Sequence, residues 1–226
     1  MRLLRLTCSC YAAKVAKVLD LKAIAYRSSE VPYFDRREVV RLTGDVKVPV
    51  LVDGKRVLTE SAVITAYLDK AYAPSLREGF GAAPIVFEQW ADNVLEDAVF
   101  RFSSPRLGKV LARQNGDRND VAAHYRFAKE RKYGAGCLEA WERDASALGK
   151  RVGELLAPLE KILSEQPYLL GEKATLADAA VWGNLMPLVL ARPRWLRTEQ
   201  PKLFAWYERL RKCCTDDRGW TAQRKA

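Results

Sequence analysis

The stretch Leu3-Leu4-Arg5-Leu6-Thr7-Cys8-Ser9-Cys10-Tyr11-Ala12-Ala13-Lys14-Val15 passes within a few residues from an apolar run to a helical pattern. Leu3 to Leu6 reads as a short buried strand. Between about Tyr11 and Leu21, the residues Ala12, Val15, Ala16, Val18 and Leu19 fall near one helical face, with Lys14 and Lys17 elsewhere. The joint, Thr7-Cys8-Ser9-Cys10-Tyr11, crowds two thiols and three hydroxyls into a strand-to-helix turn. Backbone N–H groups at a helix start favour negative charge. A cysteine there can have its pKa drawn from about 8.5 to roughly 3.5–7.5. A hydroxyl there can instead donate to a thiolate brought by a ligand. Small residues also serve simply to make a tight turn and pack inside.

Further along, Ala23-Ile24-Ala25-Tyr26 reads as a second strand, and Asp35 to Leu42 as a short helix stopping near Gly44. Val48-Pro49-Val50-Leu51-Val52 reads as a third strand. Asp53-Gly54 is a hairpin turn signal, and Arg56-Val57-Leu58 is the partner strand. Glu60-Ser61 opens an amphipathic helix containing Ala62, Ile64, Tyr67 and Leu68. The order is βαβαββα, in which a β–α–β start implies a parallel pair and the hairpin an antiparallel edge.

This order and three local motifs resemble the thioredoxin-like domain of cytosolic glutathione transferases. Ser9-Cys10-Tyr11-Ala12-Ala13-Lys14-Val15 is similar to the family's Ser/Cys-Pro-x-x-x-Arg/Lys-Val. Lys47-Val48-Pro49-Val50-Leu51 matches its cis-proline segment, and Glu60-Ser61 its acidic-Ser pair. The resemblance implies that Val48, Pro49, Glu60 and Ser61 bind glutathione, as co-substrate. The chemistry of these residues agrees. An X-Pro bond is where a cis peptide is cheap, at about 0.5–1 kcal/mol. A backbone exposed there can pair with a peptide ligand as an added strand would. Ser61 at a helix start suits a carboxylate, and Glu60 can pair with an ammonium. Taken alone, Glu60-Ser61 also reads as an ordinary helix cap.

Ala73-Pro74 through Pro84, with its prolines and glycines, reads as a linker. The expected division is residues 1–72, thioredoxin-like; 73–84, linker; and 85–226, all-helical. The implied fold class is therefore an α/β thioredoxin-like N-terminal domain plus an all-α C-terminal domain. In the latter, Val86 to Phe102 reads as one helix with Phe87, Trp90, Val94, Leu95 and Ala98 toward the core. Val121 to Lys132 and Cys137 to Leu163 are further helices, broken at Gly134-Ala135-Gly136, with Pro158 inside the last pattern. Thr175 is a natural N-cap with Asp178 at N3, a structural cap that resembles the family's C-terminal motif. Pro201 begins a final helix with Leu203, Trp206, Tyr207 and Leu210. The adjacent Cys213 and Cys214 are not spaced as a metal pair and read as packing or surface residues.

The 226 residues suffice for one large or two modest domains, and 49% apolar with 29% charged residues is ordinary for a globular chain. No run approaches the roughly 20 apolar residues of a membrane span, so no membrane partner is expected. Arg2 and Arg5 within the first apolar run do not read as a secretory leader. Five cysteines without a disulfide spacing point to reduced thiols and a cytoplasmic setting. The net charge of +10 suits nucleic acid, an anionic small molecule or solubility. The basic residues are mixed with acids, as in Ala128-Lys129-Glu130-Arg131-Lys132, and form no long block, so a nucleic-acid partner is not expected. The single histidine, His124, and the absence of a Cys/His cluster argue against a metal site. No Gly-x-Ser-x-Gly, glycine-rich phosphate loop or Cys-x-x-Cys is present.

Two chemistries remain at the opening turn. In the first, Ser9 donates to the glutathione sulfur, and the thiolate attacks a small, apolar electrophile. In the second, Cys10 or Cys8 forms a mixed disulfide with glutathione, giving thiol transfer or reduction. The family's register favours Ser9 and puts Arg5 where other classes carry a catalytic tyrosine, while Cys10 departs from the usual proline. The substrate pocket is expected among the first helix, the linker and the helix near Val86, with Phe87, Trp90, Phe100 and Phe102 as aromatic walls. The resemblance further implies a homodimer, with Asp97 near the neighbouring subunit's glutathione. A catalytically idle interaction module on the same fold is the alternative of a different class.

Overall fold

The computed structural model describes residues 1–213, so Cys214 lies outside the described residues. The N-terminal part contains strand β1 (Arg2–Arg5), helix α1 (Cys10–Leu21), β2 (Arg27–Glu30), α2 (Arg37–Thr43), β3 (Val50–Asp53), β4 (Arg56–Thr59) and α3 (Ser61–Ala71). The sheet order is β2-β1-β3-β4, with β1 parallel to β2 and the other pairs antiparallel. Side chains alternate across a strand, so the register Leu3↔Leu51 and Leu4↔Val50 assigns each pair to one face. Leu4 and Val50 meet Val31, just after β2, and Val39 of α2 on one side. Leu3 and Leu51 join α1, α3 and the helical part on the other. Gly44 ends α2 in the left-handed conformation, at φ 73°, donating its N–H to Val40 O.

One expectation about this part is corrected. The second strand lies after Ala23-Ile24-Ala25-Tyr26, not within it. Ala23 turns the chain at φ 52°, and Ile24 and Tyr26 pack against the core. The register Arg2↔Arg27 puts the polar Arg27-Ser28-Ser29-Glu30 on the sheet edge, where one side of a strand faces solvent. Position in the sheet therefore overrides strand propensity. Lys14 and Lys17, off the apolar face of α1, are nevertheless fully buried. Helix α1 is enclosed by the sheet on one side and the helical part on the other, so its polar face has no solvent to reach. Lys17 Nζ instead donates to Asp20 Oδ2 (2.9 Å), Leu210 O (2.7 Å) and Cys213 O (2.9 Å).

The helical part comprises α4 (Ala83–Trp90), a π-helical turn (Ala91–Leu95), α5 (Glu96–Gln114), α6 (Asn119–Tyr133), α7 (Cys137–Arg143), α8 (Ala145–Glu165), α9 (Leu176–Ala191), α10 (Pro193–Glu199) and α11 (Pro201–Arg211). Its centre is α9, buried at every position from Leu176 to Leu188. Thr175 and Asp178 form the expected capping box. Asp178 is fully buried and also accepts from Leu169 N (3.1 Å) and Trp206 Nε1 (3.0 Å), so the cap ties α9 to α11. Helix α9 crosses α1 at Gly183, where a Cβ would lie 2.6 Å from Lys14 N and 2.8 Å from Cys10 O. Only glycine permits that approach.

The helix expected over 86–102 starts earlier and runs on through α5, which contains Pro105. The π turn widens it by one residue and rotates Val94 outward, to 38% exposure, while Leu95 stays in the core. The pattern over 137–163 divides at Asp144 into α7 and α8, and α10 was not expected. Among the described residues, no helix is long and apolar enough to cross a membrane.

Candidate active site

The turn after β1 is organised by Ser9. It is the N-cap of α1, with extended backbone, and its Oγ accepts from Ala12 N at 3.2 Å. Capping turns Cys10, the first helical residue, inward. It is 6% exposed with Sγ 3.9 Å from Glu96 Oε1. Burial, reinforced by the Glu96 carboxylate, pushes the Cys10 thiol well above the ordinary range. Cys8 Sγ lies 3.2 Å from Tyr33 OH, and burial raises its pKa too, with the Tyr33 hydrogen bond a partial offset. Desolvation therefore outweighs the helix N-terminus at both thiols.

Beside this turn lies a cleft of about 830 Å³ that brings together Val48, Pro49, Glu60 and Ser61. The Val48–Pro49 peptide is cis. Ser61 begins α3 and is 8% exposed, so its hydroxyl and the first N–H groups of the helix form a polar corner. Glu60 holds φ 62° and ψ 118°, a conformation that L-residues with a Cβ rarely adopt and that commonly marks a functional position. Leu6 and Tyr11, on either side of the Ser9 turn, line the cleft, whereas Ser9 and Cys10 are not among its lining residues. The hydroxyl of Tyr11 donates to Asp92 O at 3.4 Å, and burial with the nearby Glu96 carboxylate raises its pKa.

The opposite wall differs from expectation. None of Phe87, Trp90, Phe100 and Phe102 lines the cleft. Phe87 and Trp90 face α8 in a separate groove, Phe102 is core against Trp195, and Phe100 packs with Tyr133 and Trp141. The linker is absent from the lining as well. The helical wall is polar, formed by Gln89, Asp92, Asn93, Lys129 and Lys132. Asp92 stands on the π turn and is held by a buried network. Lys14 Nζ bonds Glu88 Oε1 at 3.1 Å and Asp92 Oδ2, Asn184 Nδ2 donates to Asp92 Oδ1 at 3.0 Å, and Thr65 Oγ1 donates to Glu88 at 3.0 Å. This network joins α1, α3, α4, the π turn and α9.

Sequence reading missed three further cations of the cleft. Arg36 lines it and carries a buried Nη1 without a hydrogen-bond partner among the described residues. Such a group invites an anion. Lys129 and Lys132 lie three apart on α6, hence on one face. Their i, i+3 spacing was visible within Ala128-Lys129-Glu130-Arg131-Lys132, but only the fold shows which face meets the cleft. Burial lowers the Lys129 pKa, whereas contact with Tyr133 raises that of Lys132. Asp97, in turn, pairs with Arg101 at 2.9 Å.

A profile described as "Glutathione S-transferase, N-terminal domain" matches residues 3–76, and "Glutathione S-transferase, C-terminal domain" matches residues 122–209. A search of curated protein sequences returns no match. Among solved structures, the chain is similar to the theta class glutathione S-transferase from the citrus canker pathogen Xanthomonas axonopodis pv. citri, with glutathione bound. The identity is 24% and the TM-score 0.65, over 96% of this chain and 95% of that one. A beta-etherase from Sphingobium sp. strain SYK-6 is 20% identical with a TM-score of 0.70, over 97% and 98%. Glutaredoxin 2 from Salmonella typhimurium, in complex with glutathione, is 19% identical with a TM-score of 0.72, over 98% and 97%. At such identities the likeness is one of fold.

Proposed function

The chain belongs to the cytosolic glutathione S-transferase superfamily, and we propose that it binds glutathione in this cleft and transfers its thiolate sulfur to a small electrophile. The observation that carries this reading is the meeting of Val48, Pro49, Glu60 and Ser61 in one cleft beside the α1 N-terminus. The Ser61 corner receives the γ-glutamyl carboxylate and Glu60 its ammonium. The Val48 backbone pairs with the cysteinyl peptide, and the guanidinium of Arg36, which lines the cleft, takes the glycyl carboxylate.

Ser9 is then the thiol-activating residue. Its oxygen accepts from Ala12 N, which leaves the hydroxyl proton to be donated to sulfur. The α1 N-terminus adds favourable electrostatics for an anion. A thiolate so held attacks an electrophilic carbon, forming the C–S bond as the leaving group departs with its electron pair. The raised thiol pKa values of the half-buried Cys8 and the buried Cys10 weigh against thiol transfer. Homodimerisation and a reducing, cytoplasmic setting belong to the same reading. Val63 on α3 and Ile85 and Val86 on α4 are exposed apolar side chains that a second copy would cover.

The test is calorimetric titration with glutathione, followed by conjugation of 1-chloro-2,4-dinitrobenzene. Saturable binding and conjugation are expected. Absence of binding at millimolar glutathione sinks the transferase and thiol-transfer readings together and leaves the idle module.

A further inference from the structure

We propose that the acceptor half of this cleft selects an anionic electrophile, an aromatic compound carrying a carboxylate or similar group, through Lys129 and Lys132. The inference rests on the glutathione reading above and names the class of the second substrate.

The charges of the cleft divide by wall. On the sheet side, Lys47 is neutralised by Asp45 at 3.3 Å, while Glu60 and Arg36 suit the ammonium and a carboxylate of glutathione. On the helical side, the one carboxylate in the lining, Asp92, is already held by Lys14 and Asn184. Lys129 and Lys132 face it from α6 as a like-charged pair. Among the described residues, neither is in an ion pair within 4.0 Å. Glu96, whose carboxyl feels both ammoniums, is turned to Cys10 Sγ and does not line the cleft.

Lys129 is moreover held in place. Its Nζ lies 4.6 Å from the Phe100 ring centroid and 4.8 Å from that of Tyr125, and Lys132 Nζ lies 4.8 Å from Tyr133. Aromatic faces hold a cation without neutralising it. Two such ammoniums in a cleft that Tyr11 also lines make a site for a flat acceptor with a negative substituent. In a suitable case the glutathione thiolate attacks a ring carbon bearing chlorine. The C–S bond forms, the C–Cl bond breaks, and chloride leaves with the electron pair while the distant carboxylate stays on the lysines.

The experiment compares 4-chloro-3-nitrobenzoate with 4-chloro-3-nitrobenzamide, after glutathione binding has been measured by calorimetry. Each kcat/KM is divided by the uncatalysed rate constant of the same acceptor, so that intrinsic reactivity cancels. In the unaltered protein the quotient for the benzoate is expected to exceed that for the benzamide by about tenfold, one charge-assisted hydrogen bond's worth. The preference should shrink at high salt. Lys132→Glu, at an exposed position, is expected to reverse it, and Lys129→Gln, which keeps a stem between the rings, to raise the KM for the benzoate. Equal quotients in a protein that binds glutathione overturn this inference alone. So does a Lys132→Glu effect confined to the KM for glutathione or to the pKa of its bound thiol, which would assign the pair to the first substrate. Failure to bind glutathione overturns the underlying reading and this one with it.

Discussion

The two walls of the cleft are made in different ways. The sheet-side wall is assembled from local devices: a cis-prolyl turn before β3, the positive-φ residue Glu60, and the start of α3 at Ser61. It presents backbone groups and short side chains. The helical wall presents long side chains from α4, the π turn and α6, brought together by packing alone. Backbone recognition is indifferent to most substitutions and suits a ligand that does not change. Side-chain recognition changes with one codon and suits a variable partner. On this view the first wall reads glutathione and the second selects what glutathione attacks.

The walls are joined by Lys14, and its removal should have the largest effect. Lys14→Met removes the ammonium shared by the buried Glu88 and the partly buried Asp92, leaving Glu88 with Arg77 Nη2 at 3.9 Å as its remaining cation among the described residues. Breaking such a pair typically costs about 3–5 kcal/mol. Denaturant unfolding should show that loss. Activity on every acceptor should fall with it, because Asp92 then keeps, among the described residues, only Asn184 to hold it in the helical wall. A melting temperature unchanged within a degree or two would mean that the walls stand independently.

The same contrast explains what could be read in advance. Val48, Pro49, Glu60 and Ser61 each lie at a turn or helix start whose chemistry is written in adjacent residues, and they meet in the cleft. The capping box of Thr175 and Asp178 was legible for the same reason. Lys14, Gly183 and Lys129 were not. Lys14 fell off the apolar face of its helix, and one sequence window cannot reveal that a helix is covered on both sides. Gly183 is needed only because another helix crosses there. The π turn that presents Asp92 leaves a one-residue shift in an otherwise ordinary helical pattern. Burial also reversed one expectation: a helix N-terminus can lower a thiol's pKa, yet the side chain of Cys10 points into the core beside Glu96.

The next largest effect belongs to the turn between the walls. Ser9→Ala removes the proposed donor to sulfur, and losing one such donor typically lowers kcat by about 100-fold or more. It also removes the N-cap of α1, for about 1 kcal/mol of stability. Cys10→Ala should leave conjugation largely intact and lose only packing. A double readout of kcat and melting temperature separates the roles, since a pure cap would lower stability and spare kcat. Conjugation surviving in Ser9→Ala but lost in Cys10→Ala would transfer the chemistry to the cysteine.

The smallest effect is a comparison of the thiols themselves. Cys8 and Cys10 have their pKa values raised above the ordinary thiol range, chiefly by burial, so at pH 7–8 both are protonated. Cys213 is exposed. Brief treatment with iodoacetamide at pH 8, read by peptide mass spectrometry, should therefore label Cys213 well before Cys8 or Cys10. The sign matters for the pH profile of conjugation as well. Thiols raised in this way ionise only above their usual range, so a rate that climbs through neutral pH reports the bound glutathione thiol and not a cysteine of the protein. Rapid labelling of Cys8 or Cys10 at pH 7 would reveal a thiolate at the turn, and the mixed-disulfide mechanism would then displace Ser9.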